Sequence, residues 1–193
     1  MLSLLRPALA SVGLFTLLLG LAYPLAITGV AQAAFPQQAD GSLVVRDGRI
    51  VGSALVGQAF TSARYLQGRP SAVDYDATGS GASNLGPLNP DLIAETSERA
   101  GAWRAATGSA DVPADAVTAS ASGLDPHISP ANALAQARRI AETRGADIDQ
   151  VRAVIANHVE GRTFGVLGQP RVNVLQTNLA LDAAFAPEQP APR

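Results

Sequence analysis

The sequence contains no cysteine and no lysine. Without cysteine there can be no disulfide, no thiolate ligand for a metal and no lipid-modified thiol anchor. Without lysine there is no Walker-type phosphate loop, whose amine reaches the β- and γ-phosphates, and no Schiff base or Ser–Lys dyad. All fourteen basic residues are therefore arginines, against sixteen acids, for a net charge of −2. Aromatics make up only 5% of the chain and are not interleaved with cations, so the footprint of a nucleic-acid binder is missing. Histidine is reduced to His127 and His158, too few to build an imidazole-rich zinc site.

Charge is also missing locally. Residues 7–34, "PALASVGLFTLLLGLAYPLAITGVAQAA", carry none. As a helix, residues 7–31 reach about 37 Å at 1.5 Å per residue, more than the roughly 30 Å hydrocarbon core of a bilayer. They read as a transmembrane helix, kinked by Pro24 near its outer end. Arg6 keeps residues 1–6 on the cytoplasmic side and puts the rest of the chain outside the cytoplasmic membrane. The rival reading is a cleaved signal peptide, since "AQA" at residues 31–33 has the small-x-small form. A secretory apolar region spans about 7–15 residues, and this one is nearly twice that. The anchor is the favoured reading.

Residues 32–42 read as a linker, 43–182 as one domain of mixed helix and strand, and the Pro/Ala-rich 183–193 as a disordered tail. "LVVRDGRIV" predicts a hairpin turning at Asp47-Gly48. Residues 68–90 form a long loop of Gly, Pro, Ser, Asn and Asp, of the kind that is usually functional. A helix is predicted from the cap Asn89 and Pro90, with Leu92, Ile93, Thr96, Ala100 and Trp103 inside. Residues 115–124 suggest a strand at their start. A second helix is predicted from the cap Ser129 to Gly145, burying Ala133, Leu134, Ala137, Ile140 and Ala141. A third carries Ile148, Val151, Ile155 and Val159, and a strand over residues 171–175 is followed by a short turn. The fold class is α+β, hung from a single N-terminal transmembrane helix.

Candidate chemistry centres on "SGLDPHISP", residues 122–130, where an acid, a histidine and a hydroxyl stand between two prolines. Asp125 and His127 are two ligands at most, and the remaining imidazole lies on another predicted helix, so a metal site is incomplete. The segment reads as a stiff turn in which Asp125 binds backbone amides. No G-x-S-x-G elbow is present. "TGSGASNLG", residues 78–86, shares only composition with a phosphate cradle. Arg69 and Arg171 each adjoin a proline, an arrangement suited to a fixed ion pair or a partner contact.

Several segments, in order, resemble one family: the C subunit of the Kdp potassium-transporting P-type ATPase. They are "GSALVGQAF", "YLQGRPSAVDY", "SGASNLGPLNP", "VPADAVTASASGLDPHISPANALAQARRIA" and "LGQPRVNVLQTNLALD". The resemblance runs from Leu5 to Asp182, with small departures at Ala82 and Thr177. It implies an accessory subunit of a high-affinity, ATP-driven potassium importer in the bacterial inner membrane, with no catalytic site of its own. The implied partners are a potassium-channel-like subunit, a P-type ATPase subunit and a small single-helix subunit. ATP and potassium are handled by the complex, and this chain binds no cofactor directly; nucleic acid is not a partner. The family is also described as a catalytic chaperone that raises the ATPase subunit's affinity for ATP. Because ATP lies on the cytoplasmic side and the domain outside, the expected route is assembly of the complex.

Partner contact is expected at Arg69, Tyr75, Asn84, Asn89, Asp125, His127, Ser129, Gln136, Arg171 and Asn173. His127 is expected to belong to a rigid turn shaping the surface toward the channel-like subunit. The alternative readings are a secreted periplasmic enzyme or a small-ligand binding module, each requiring cleavage of the apolar segment.

Overall fold

A computed structural model describes residues 2–185, which divide into two units between Ser53 and Ala54. In the first unit, α1 (Leu2–Phe15), a π-helical stretch (Thr16–Ala22) and α2 (Tyr23–Ala34) form one helix. Its apolar part, Ser3–Ala34, is 32 residues long and buries nothing within the chain. At about 48 Å it is long and apolar enough to cross a membrane, and it overruns the expected 7–31 at both ends. The effect of Pro24 takes a specific form. Its ring removes the N–H that would bond four residues back, and the turns before it widen until the Tyr23 N–H reaches the Leu18 carbonyl, five residues back.

A short helix α3 (Pro36–Ala39) leads to β1 (Leu43–Arg46) and β2 (Arg49–Ser53), an antiparallel hairpin. Asp47 (φ 52°) and Gly48 (φ 74°) both take the left-handed conformation that a two-residue type I′ turn requires. The dipeptide predicted to turn here does so.

The second unit is the expected mix of helix and sheet. It contains α4 (Pro90–Thr107), α5 (Ala114–Val117), β3 (His127–Ile128), α6 (Pro130–Ala135), α7 (Ala137–Arg144), α8 (Ile148–Asn157), β4 (Val159–Glu160), β5 (Arg171–Asn173) and α9 (Val174–Ala184). The three strands form an antiparallel sheet in the order β3-β5-β4. Its inward residues Ile128 and Val172 join Leu66, Ala133, Ala137, Ile140, Val151, Ile155 and Leu181 in one core.

Several local expectations need correction. The helix predicted from Pro130 to Gly145 is broken at Gln136, whose buried side chain bonds to the backbone of Gln67. Leu134 is exposed, because Ala133, Ala137, Ile140 and Ala141 already define the inner stripe. Ile93 is likewise exposed on α4, which packs against α5 and α7 along its other side. Val159 has left α8 to pair with Val172 in the sheet. Residues 114–117 form the helical turn α5 where a strand was expected.

The largest difference is α9. Residues 174–184 are helical where a strand end and a turn were expected. The Asn173 side chain caps it, accepting the Gln176 N–H at 3.1 Å. Val174, Thr177, Asn178 and Leu181, spaced at helical intervals, are buried. α9 continues two residues beyond Asp182; the rest of the expected tail lies outside the described residues.

Residues 63–67 run between α7 and α9 without regular structure and are bound by side chains. Asn178 bonds both backbone groups of Leu66, and Gln136 both of Gln67. Arg139 donates to the carbonyls of Ala63 and Tyr65, and Arg144 to that of Arg64. Burial lowers the Arg139 pKa from its ordinary value. Arg144 also pairs with Asp182 at 2.9 Å, and Asp182 accepts the Tyr65 hydroxyl at 3.0 Å.

Candidate functional site

The long loop anticipated over residues 68–90 contains no helix or strand before α4, yet it is firmly tied down. The Ser120 N–H donates to the Pro70 carbonyl at 2.9 Å and the Gly81 N–H to that of Ser122 at 2.9 Å. Ser71 Oγ donates to the Gly123 carbonyl at 2.8 Å while accepting the N–H groups of Val73 and Tyr75. The contact is close enough to require glycine: at Gly123, with φ +69°, an added Cβ would strike Val73 and lie 2.9 Å from the Gly81 carbonyl oxygen.

This pairing of loops places Arg69 against Asp125. Arg69 Nη1 donates to Asp125 Oδ2 at 3.1 Å, and Nη2 to the Thr118 and Ala119 carbonyls at 3.4 and 3.3 Å. The Tyr75 hydroxyl donates to the Arg69 carbonyl at 2.6 Å. Burial, followed by the charge of Asp125, raises the Tyr75 pKa and keeps its hydroxyl protonated as a donor.

Asp125 forms the expected turn, with Oδ1 accepting the His127 N–H at 3.0 Å. The His127 ring nitrogen Nδ1 is 3.7 Å from the same oxygen. Burial alone would raise the Asp125 pKa; the His127 ring and backbone and the Arg69 guanidinium outweigh it and hold the carboxyl below its usual range. One turn on, Ser129 caps α6, accepting the Asn132 N–H at 3.1 Å. Its own N–H and hydroxyl donate to Asp115 at 2.7 and 2.9 Å.

Five of the expected residues, Arg69, Asp125, His127, Ser129 and Arg171, line a single cleft of about 530 Å³, and Asp115 joins them. Arg171 donates across the β4–β5 hairpin to Glu160 at 2.8 Å. Tyr75 stands on the far side of Arg69, in a second depression of about 460 Å³ with Phe60 and Trp103. Asn84 is exposed in the loop in a left-handed conformation (φ 54°), and Asn89 caps α4. Gln136 and Asn173 are 1% and 3% exposed, with their amides engaged inside the domain.

Sequence reasoning missed Asp115, Asn132, Arg139 and Asn178, which bind loops to helices. The signal was present for Asn178, a polar residue at a core position of a helical repeat. Chemically, the cleft presents a guanidinium bonded to a carboxylate, Arg69 to Asp125, with the His127 imidazole 3.7 Å from that carboxylate. That makes a polar recess of fixed shape. Among the described residues, no three of His, Asp and Glu converge to hold a metal ion.

A family model described as "KdpC: K+-transporting ATPase, c chain" matches residues 5–183. Proteins named Potassium-transporting ATPase KdpC subunit are similar over nearly their whole length. The one from Caulobacter vibrioides (strain NA1000 / CB15N) is 59% identical over 190 residues, covering 97% of this chain and 96% of that protein. Those from Cereibacter sphaeroides (strain ATCC 17029 / ATH 2.4.9) and Sorangium cellulosum (strain So ce56) are 58% and 57% identical. They are covered over their full lengths, by 96% and 95% of this chain. The match takes in the apolar helix, the paired loops and the cleft, and the chain belongs to the KdpC family, the c chain of the potassium-transporting ATPase.

Proposed function

We propose that the chain is an accessory, non-catalytic subunit of an ATP-driven potassium importer in the bacterial inner membrane. It is anchored by the helix Ser3–Ala34 with its N-terminus in the cytoplasm and its α+β domain in the periplasm. Arg6 at the inner end and the lack of charge that follows support this orientation. Residues 31–33 lie within α2 and are not extended, which disfavours cleavage there.

The subunit acts by assembly. It braces the potassium-channel-like subunit and the P-type ATPase subunit, in the company of the small single-helix subunit, through the rigid surface around Arg69, His127 and Arg171. The observation that carries this reading is the state of Asp125. Its carboxylate is held by Arg69 and by its own turn, so it shapes a surface and has no free role as an acid or base. The effect on ATP affinity implied by the family resemblance is placed downstream of assembly, with ATP bound by the ATPase subunit.

The test is purification of the C-terminally tagged full chain from membranes in mild detergent, with potassium-stimulated phosphate release measured on the eluate. Co-purification of that activity is expected. A chain recovered alone, soluble and shortened near Ala33 would overturn the proposal.

A further inference from the structure

Between β4 and β5 the chain runs out from the domain. Every residue from 161 to 170 is exposed. Phe164 is 89% exposed, Val166 72% and Leu167 60%, three large apolar side chains within four residues. Water-facing apolar groups are ordinary when scattered, but a contiguous set marks an interaction site.

The segment is an ordered finger. Thr163 and Leu167 exchange both backbone hydrogen bonds at 2.9 Å, and the Gly165 N–H donates to the Arg162 carbonyl at 3.0 Å. Lower down, Arg162 Nη2 donates to Gln169 Oε1 at 3.1 Å, and Arg171 pairs with Glu160. Phe164 takes a left-handed conformation (φ 54°), which is unfavourable for a bulky side chain and here puts the ring at the tip of the turn. The same hairpin supplies Gln169, Pro170 and Arg171 as one wall of the polar cleft.

We propose that Phe164, with Val166 and Leu167, is a docking finger that inserts into an apolar recess on another subunit of the potassium-transporting ATPase. This rests on the accessory-subunit reading and identifies where the contact is made. Three features favour that occupant. Of the two arginines in this hairpin, Arg171 is neutralised by Glu160 and only Arg162, itself bonded to Gln169, keeps its charge, far short of the cluster of cations that holds a lipid surface. A fluid bilayer also needs no preset turn, whereas a shaped socket does. Finally, one ring buries about 150–250 Å², far below the roughly 800 Å² per partner of a stable self-standing pair. A contact this small suits a subunit already held in place by its membrane helix, for which the second binding event is intramolecular.

The test uses the whole complex. p-Benzoylphenylalanine replacing Phe164 in the full chain is irradiated in membranes, and the crosslinked partner is identified by mass spectrometry. In parallel, a triple variant (Phe164→Ser, Val166→Ser, Leu167→Ser) is compared with Leu88→Ser, an equally exposed position elsewhere. The expected result is a crosslink to another ATPase subunit. The triple variant should fall about tenfold in the fraction of chain retained with the complex in detergent, and Leu88→Ser should not. Crosslinks confined to lipid or to a second copy, or undiminished retention of the triple variant, would overturn the proposal while leaving the accessory-subunit reading intact. A wild-type chain that co-purified with no subunit would overturn both.

Discussion

The side-chain amide of Asn178 pairs with Leu66 as a neighbouring strand would. Its Oδ1 accepts the Leu66 N–H at 2.7 Å, and its Nδ2 donates to the Leu66 carbonyl at 2.9 Å. Gln136 does the same for Gln67, at 2.9 and 3.1 Å. Two helices thus hold a strap that has no sheet partner. Asn178→Ala would leave both backbone groups of Leu66 buried and unpaired. The expected loss of stability is about 2–5 kcal/mol, read from denaturant unfolding of the detergent-solubilised chain. Near-unchanged stability would mean that water replaces the amide.

Gly123→Ala tests whether the paired loops are as rigid as their bonds imply. The new methyl must displace Val73 or the Gly81 carbonyl, and the left-handed backbone disfavours it independently. A loss of roughly 2–4 kcal/mol is expected, together with faster proteolysis within residues 70–85. A variant as stable and as protease-resistant as the wild type would show that the loops separate without difficulty.

The depressed Asp125 pKa gives a pH dependence of definite sign. A carboxyl whose folded pKa is lowered contributes stability above its ordinary value of 3.8, and that contribution is lost as the pH falls through the folded value. Asp125→Asn is therefore expected to be less stable at neutral pH and to lose less on acidification below about pH 4. Trp103 fluorescence during unfolding at several pH values reports both limbs; parallel curves for the two proteins would contradict the assignment.

Arg69→Lys should behave more like Arg69→Ala than like the wild type. One guanidinium serves Asp125 and two carbonyls at once, and an ammonium cannot span that geometry. Complex recovery after detergent extraction is the measurement. Full recovery with lysine would reduce Arg69 to a simple counter-charge.

His127→Ala removes a ring whose backbone N–H, not its imidazole, closes the turn. A modest weakening of the complex is expected, with potassium selectivity of transport unchanged. Altered selectivity in an intact complex would place His127 in the ion's path.

The parts of this molecule legible in its sequence were those governed by local chemistry. Asp47-Gly48, Asn89-Pro90 and Ser129-Pro130 each announce their geometry within two residues, and each is found. The charge-free run was legible for the same reason. The α9 helix was not, because β-branched Val172 and Val174 flank Asn173 and imitate a strand, while the cap that starts the helix is that same asparagine. The cleft was half legible: its residues stood out as stiff loop positions. Nothing local, however, indicates that Arg69 and Asp125, far apart in sequence, share one oxygen–nitrogen contact. Asp115 stayed hidden because its role exists only once separate segments have packed, and Asn178 because its helical spacing lay behind the strand-like start of α9.

The π-helical stretch Thr16–Ala22 divides the apolar helix in a way its composition conceals. Each residue added to a turn rotates everything beyond it by about 100° relative to an uninterrupted α-helix. The stripes on α1 and α2 are therefore out of phase. A neighbouring helix that follows one stripe loses it at the widened turns, so the segment acts as two short combs set at different bearings. Deleting one residue between Thr16 and Ala22 would leave every side chain beyond the gap chemically intact yet turned toward a different neighbour.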